Sequence, residues 1–265
     1  MSKEPIRQST VYGPVKSWRL GFSLGIDLLF VNSVCSFKCI YCQLGKINLH
    51  TIERQIFVPT ARVMADLKAG DWPSADIITL SGSGEPTLAA NLGEIIHEIK
   101  SFTHKPIAVL TNATTLNVPE VRQELHEADK VFCKLDAADE KTFKVLNRPA
   151  PGITLQSVVE GIKKFRAEYS GWLAIQTMLM ALNYKEIDKL ARLLDVIQPD
   201  EAQLNLPLRP VPREWAIEAR ANLTSTRQPS VHLKLIGQDE ADDIEQRLRN
   251  LTKVRTVSAW NKKER

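Results

Sequence analysis

Cys35-Ser36-Phe37-Lys38-Cys39-Ile40-Tyr41-Cys42 places three thiols on one short connection, in the spacing C-x3-C-x2-C. Thiols this close along the chain can all reach a single metal centre. Soft sulfur ligands suit iron–sulfur clusters, copper(I) or zinc. A structural zinc takes four protein ligands in a closed tetrahedral shell, and a four-iron cluster normally takes four cysteines. Here the loop offers three. On a four-iron cluster that leaves one iron with an open position, where a small molecule can bind and turn an electron carrier into a reaction centre.

Immediately upstream, Leu24 to Val31 is mostly apolar and reads as a strand buried on both faces, as parallel strands are. The cysteine loop then leaves the C-terminal end of that strand, the end at which barrels and open α/β sheets place their sites. Val11 to Gly25, rich in Gly, Ser and aromatic residues, reads as an irregular lead-in.

Downstream the pattern alternates. A helix is expected around Val63, Met64 and Leu67, a strand at Asp76–Leu80 and a helix over Leu92, Ile95, Ile96 and Ile99. Ile107–Leu110 is the third strand, followed by a helix opening at Pro119, where proline suits a first helical position. Val131–Leu135 is the fourth strand, Asp136–Val145 a short helix and Thr154–Phe165 another. Trp172–Met180, Ile187–Ile197 and Glu201–Leu206 complete the series as strand, helix and strand. Six strand–helix alternations predict a parallel sheet with helical crossovers. The pattern alone does not separate an open doubly wound sheet from a partial barrel. Beyond Pro207, Pro212–Leu223, Val231–Ile236 and Asp239–Leu251 read as a helix–strand–helix tail.

Composition narrows the class. A chain of 265 residues with 43% hydrophobic and 25% charged residues is an ordinary globular protein with ample core. Its apolar stretches are strand-length, short of the roughly 20 residues a membrane helix needs. The opening Met1-Ser2-Lys3-Glu4-Pro5 does not resemble a signal peptide. With Cys133 the only thiol outside the loop, the cysteines read as a metal site rather than a disulfide framework, and the expected location is the cytoplasm. Arg247, Arg249, Lys253, Arg255, Lys262, Lys263 and Arg265 read either as a solvated helix and tail or as a nucleic-acid-contacting patch.

Polar residues inside the strands point to a chamber. Side chains alternate across a strand, so Phe132, Lys134 and Asp136 share one face, opposite Val131, Cys133 and Leu135. Lys134 and Asp136 are expected to face the lumen, where buried charges must be paired or functional; alternatively, Asp136 caps the next helix and Lys134 pairs with it. Cys133 reads as a packed core thiol. Glu201, Gln203 and Asn205 make one face of the last strand wholly polar, and Gln176 intrudes among Ala174, Met178 and Met180. These suggest a cavity for a polar substrate, although a glutamine can equally bond neighbouring backbone. Asn112, ending the third strand, binds a cofactor or caps a turn. The histidines show no metal-spaced pair, and no phosphate-binding or dinucleotide fingerprint appears.

The strings YGPVKSWRLGFSLGIDL, CSFKCIYCQLG, LSGSGEPTL, TNAT, KLDAADEKTFKVLNRP and NLPLRPV, in that order over most of residues 11–212, resemble the radical S-adenosylmethionine superfamily. The likeness is to a group loosely related to the catalytic domain of wyosine-forming tRNA enzymes. It implies a partial (β/α)6 barrel, open on one side, spanning residues 1–212 with the N-terminal lead-in. Residues 213–265 are then a short α/β extension packed on the barrel, not an independent domain. In such proteins the three cysteines bind a [4Fe-4S] cluster and S-adenosylmethionine chelates the fourth iron. Reduction by an external flavodoxin- or ferredoxin-like donor then yields a 5′-deoxyadenosyl radical that abstracts hydrogen from substrate.

Carried over by position, the resemblance assigns Cys35, Cys39 and Cys42 to the cluster and Gly84, Glu85 and Pro86 to the methionine end of the cofactor. Tyr41, Asn112, Asp136 and Gln176 become candidates around its nucleoside, and Lys134, Gln203 and Asn205 around the substrate. Departures are specific. Relatives read P-S-R-R-L-G where this chain has Lys16-Ser17-Trp18-Arg19-Leu20-Gly21, and no cysteine precedes Cys35 to hold a second cluster. The resemblance therefore does not extend to wyosine synthesis. An enzyme acting on a polar substrate, an RNA nucleotide among the candidates, is one reading. An activase or peptide-modifying enzyme working on a protein partner is a second, and a structural zinc or iron–sulfur protein a third.

Overall fold

The computed structural model describes residues 8–30, 32–221 and 229–261. Met1 to Pro5, Val31, Leu223, Lys262, Lys263 and Arg265, which entered the readings above, lie outside the described residues. Strands β1 (Val11–Ser17) and β2 (Gly21–Ile26) pair antiparallel. Helix α1 (Thr60–Lys68), β3 (Ile77–Leu80), α2 (Leu92–Thr103), β4 (Ile107–Thr111) and α3 (Pro119–Glu124) follow. Then come β5 (Lys130–Lys134), α4 (Glu140–Leu146), α5 (Leu155–Glu168), β6 (Trp172–Met178) and α6 (Ile187–Ile197). β7 (Glu201–Asn205), α7 (Gln238–Leu251) and β8 (Thr256–Ser258) complete the order. The strands stand in one sheet in chain order, with β1 antiparallel at one edge and β2 to β8 parallel. The sheet does not close on itself, so the architecture is the expected partial barrel, with six strand–helix units from β2 to β7 and two further strands at its edges.

The two faces of the sheet bury different sets of residues. Ile78, Leu80, Val109, Val131, Cys133, Leu173, Ile175, Ala202 and Leu204 join the stripes of the helices in the main core. Ile77, Ala108, Phe132 and Ala174, on the opposite face, form a separate small apolar cluster with Leu20. Cys133 is wholly buried in the main core, as its strand position predicts. Local chemistry sets the helix starts: Asp139 Oδ1 accepts the Thr142 amide at 2.9 Å, and Thr154 and Ser157 make a reciprocal capping box.

Within the barrel the expectations fail in three places, and the tail adds others. The segment read as an irregular lead-in is the β1–β2 hairpin, and its glycines serve close packing. A Cβ on Gly25 would stand 2.1 Å from the Tyr12 ring. Strand β2 stops at Ile26 because the Asp27 carboxylate accepts the Leu29 amide at 3.0 Å and turns the chain. Helix α4 starts at Glu140, since Asp139 caps it, not Asp136.

The tail differs as well. Among the described residues, the segment expected as the helix Pro212–Leu223 yields only a 3-10 turn at Ile217–Ala221, and Val231–Ile236 only a two-residue bridge, Ser230–Val231 with Val211–Pro212. The strand that does join the sheet is β8, parallel to β7, too short and polar to stand out in sequence. Among the described residues no helix is long and apolar enough to cross a membrane.

Candidate active site

Backbone hydrogen bonds clamp the cysteine loop to the end of α4. Lys38 N and Ile40 N donate to Asn147 O and Leu146 O at 3.0 and 2.9 Å, and Ala150 N donates to Ser36 O at 2.8 Å. Phe37 packs edge-on against Phe143 at 5.4 Å. At its far end, Ala216 N donates to Leu44 O at 2.9 Å and Gln43 Nε2 to Ala219 O at 3.0 Å. A loop of this length can keep one shape only if its polar backbone is satisfied in this way.

At its near end the loop is joined to the Gly-Glu-Pro turn. Val34 N donates to Ser83 O and Glu85 N to Val34 O, both at 2.9 Å. Gly84 has φ +151°, and a Cβ there would sit 1.6 Å from Val34 O, so only glycine permits this contact. The close approach that the glycine allows is thus to the loop's own backbone. Pro86 opens a single 3-10 turn, Pro86–Leu88.

The Glu85 carboxylate is buried and all its contacts are internal. Oε1 accepts from Thr87 N at 3.1 Å, Thr87 Oγ1 at 2.6 Å and Thr111 Oγ1 at 2.7 Å, and Oε2 accepts from Asn112 N at 2.5 Å. Burial raises its pKa against the pull of those donors. Glu85 therefore fixes the ends of β3 and β4 relative to each other.

Cys35, Cys39 and Cys42 are free thiols, each half-buried. Phe37 N and Asn112 Nδ2 approach Cys35 Sγ at 3.4 and 3.5 Å, and Asn147 Nδ2 approaches Cys39 Sγ at 3.5 Å. Asn112 Nδ2 also donates to Ser36 Oγ at 2.8 Å. Burial raises all three pKa values. Glu85 adds to the rise at Cys35, and Asp136 helps push Cys39 to about 12. Without metal the thiols hold their protons, and binding a metal would release them.

Among the described residues no three His, Cys, Asp or Glu side chains are grouped as ligands of one metal ion would be. A single zinc requires that grouping, whereas thiolates that each take a different iron stand farther apart. Three soft donors supported by N–H groups fit an iron–sulfur cluster.

Beside Cys39 lies a second cluster of side chains, centred on Asp136. Its carboxylate accepts from Tyr41 OH, from Asn147 Nδ2 at 2.8 Å and from Met178 N at 2.8 Å. Lys134 Nζ stands 2.9 Å from Asp136 Oδ1 and 5.4 Å from the centre of the Tyr41 ring. Lys134 Nζ and Asn147 Oδ1 are both buried without a hydrogen-bond partner. The strand pattern places Lys134 and Asp136 together; Asn147, which no sequence pattern marks, joins them to Cys39.

The inner faces of β5, β6 and β7 bring Lys134, Gln176 and Gln203 side by side in register, with Met178 opposite Asn205 in the next row. Gln176 Nε2 lies 3.4 Å from Gln203 Oε1, and Gln203 Nε2 donates to Glu201 Oε1 at 2.7 Å. Glu201 also pairs with Arg255 at 3.3 Å. Gln203 is thus an inner link of a hydrogen-bond chain. Asn112 stands with the cysteines, apart from this row.

A family model described as the radical SAM superfamily matches residues 29–194. A UPF0026 protein of Synechocystis sp. is 49% identical over 82% of this chain and 82% of its own length. Among solved structures, TYW1 with a lysine-pyruvate adduct bound superposes with a TM-score of 0.64 at 16% identity, covering 89% of this chain and 76% of that one. SuiB of Streptococcus suis bound to its precursor peptide SuiA gives a TM-score of 0.61 at 12% identity, covering 88% of this chain and 48% of that one. Those two likenesses concern the fold.

Proposed function

The chain belongs to the radical SAM superfamily and is a radical SAM enzyme; from that premise we propose that Cys35, Cys39 and Cys42 hold a [4Fe-4S] cluster whose fourth iron receives S-adenosylmethionine, and that the enzyme abstracts hydrogen from a polar substrate. The observation carrying this reading is the loop of three half-buried thiols, fixed at the C-terminal end of β2 and joined through Val34 to Gly84. When bound, the cluster and S-adenosylmethionine supply the reductive cleavage that starts radical chemistry. An external flavodoxin- or ferredoxin-like protein supplies the electron.

The chain's own residues bind and orient. Phe37 N, Asn112 and Asn147 direct N–H groups at the Cys35 and Cys39 sulfurs that would hold the cluster. Gly84, Glu85 and Pro86 seat the methionine end of the cofactor, with Glu85 holding the shape of that seat through Thr87, Thr111 and Asn112. Tyr41, Asn112, Asp136 and Gln176 are assigned to its nucleoside. Lys134, Gln203 and Asn205 are assigned to the substrate, with Gln203 acting through Gln176. An RNA nucleotide is the substrate this reading favours.

After anaerobic reconstitution, dithionite should release 5′-deoxyadenosine from S-adenosylmethionine, and Cys39→Ala should abolish the release. Undiminished release by that variant removes the ligand assignment. Comparing transfer-RNA modifications and peptide masses between wild-type and deletion cells identifies the substrate. A changed peptide with unchanged RNA overturns the RNA assignment in favour of a protein partner.

A further inference from the structure

We propose that Arg19 anchors an anionic group, a phosphate or a carboxylate, on the molecule that enters the barrel, so that the substrate is an anion. This rests on the reading above that the helix-free face of the sheet is a substrate chamber. The turn Trp18-Arg19-Leu20 joins β1 to β2, and Leu20 packs with Ile77, Ala108, Phe132 and Ala174 on that face. The turn therefore enters the barrel. The Arg19 guanidinium lies 5.1 Å from the centre of the Trp18 ring and 5.9 Å from that of Phe132, a residue of the strand that carries Lys134.

Arg19 Nε is buried without a hydrogen-bond partner, and no carboxylate pairs with the side chain among the described residues. Burial, and then repulsion from Arg209, lowers its pKa to about 10. Three other guanidiniums, on side chains that are buried or half-buried, are matched. Arg122 meets Glu168 at 2.8 Å and Leu116 O at 2.9 Å, Arg220 meets Asp27 at 3.2 Å, and Arg54 meets Glu124 at 2.5 Å. The inner-face carboxylates are already engaged, Glu201 by Gln203 and Arg255 and Asp136 by Lys134, Tyr41 and Asn147.

A half-buried guanidinium with its Nε shut off from water and no carboxylate beside it is incompletely solvated, and a bound anion offsets that cost. The planar fork of arginine matches carboxylate and phosphate oxygens two at a time. A second cation stands nearby: Arg209 exerts the repulsion on Arg19 and also donates to Gln43 Oε1, next to the cysteine loop, at 2.6 Å. Arg209 thus connects the Arg19 turn, at the N-terminal end of β2, with the cysteine loop that follows its C-terminal end.

The test is calorimetric titration of the full-length chain at low ionic strength, without reductant or S-adenosylmethionine, so that it does not depend on cofactor cleavage. Inorganic phosphate is the probe in one arm and malonate in the other. The wild type should bind at least one, and Arg19→Met should bind it roughly tenfold or more weakly, as expected for a lost charge-assisted bond. Tighter phosphate binding identifies a phosphorylated substrate, and tighter malonate binding a carboxylic acid. The melting temperature of Arg19→Met should stay level or rise, because an unpaired and partly desolvated charge has been removed. If that variant does not fold, Arg19→Lys should fold and still bind more weakly. Absence of binding in the wild type, or equal affinity in the variant, overturns the proposal. So does a lower melting temperature with binding intact, which would make Arg19 a packing residue.

Discussion

The Asn147 carboxamide is 3.5 Å from Cys39 Sγ and 2.8 Å from Asp136 Oδ2, so one buried side chain links a proposed cluster ligand to the acid at the end of β5. An N–H directed at a thiolate stabilises the more negative, reduced state of a cluster and raises its potential. Replacing Asn147 by Ala should make the potential of the reconstituted protein more negative by roughly 40 mV, the one-electron equivalent of about 1 kcal/mol. A redox titration followed by electron paramagnetic resonance measures this. A lower melting temperature with an unchanged potential would mean that Asn147 supports the loop without tuning the centre.

Glu85 receives donors on both oxygens, and an amide cannot replace it. In Glu85→Gln the –NH2 group would face either the Asn112 amide or the donors from Thr87 and Thr111. The expected loss is about 1–3 kcal/mol, the cost of a buried donor left unsatisfied. Chemical denaturation of the chain before cluster loading reads it. Equal stability of the variant would show that the carboxylate is not the joint between β3 and β4.

Gly84 and Gly152 both have positive φ, but they differ in surroundings. A Cβ on Gly84 meets Val34 O at 1.6 Å, whereas nothing lies within 4 Å of a Cβ on Gly152. Gly152→Ala should cost only the backbone term, about 1 kcal/mol. Gly84→Ala must part the cysteine loop from the turn, so it should destabilise the chain by several kcal/mol more and lower iron incorporation on reconstitution. Similar melting temperatures for the two variants would contradict the Val34 contact.

What was legible in the sequence follows from how far apart the interacting residues lie along it. The C-x3-C-x2-C loop, the Gly-Glu-Pro turn and the strand–helix alternation are local patterns, and the structure has them where they were read. Asn147 reaches Cys39 across 108 residues, so no spacing announces the contact. The β1–β2 hairpin reads as an irregular lead-in because Gly13 and Pro14 interrupt the pattern of β1, and nothing local shows that the Tyr12 ring packs where a Gly25 Cβ would stand. The polar face of β7 was visible, but not that Gln203 is held between Gln176 and Glu201. That depends on register with β6, which one strand's sequence does not contain. β8 was missed for a related reason: three residues carry too little periodicity, and only their pairing with β7 identifies them.

Arg220 meets Asp27 across 193 residues and fastens the segment packed over the cysteine loop to the first parallel strand. Its guanidinium donates to Asp27 Oδ2 at 3.2 Å and to Ser9 O at 2.9 Å, and it lies about 5 Å from the centres of the Tyr12 and Phe30 rings. Burial raises the pKa of Asp27, while Ser83, the Leu29 amide and Arg220 draw it down. Arg220→Met leaves that carboxylate buried without its counter-charge, so it should cost about 3–5 kcal/mol at neutral pH. The pH dependence has a definite sign. An acid whose folded-state pKa lies above its unfolded value favours the fold below the unfolded pKa, and that benefit is lost as pH rises through the folded one. Losing Arg220 raises the folded-state value further. The gap in stability between wild type and variant should therefore be widest near neutrality and narrow as pH falls toward about 4, the ordinary range for aspartate. Denaturation midpoints across that range measure it, and a gap independent of pH would show that Arg220 acts through its stacking on Tyr12 and Phe30 rather than through its charge.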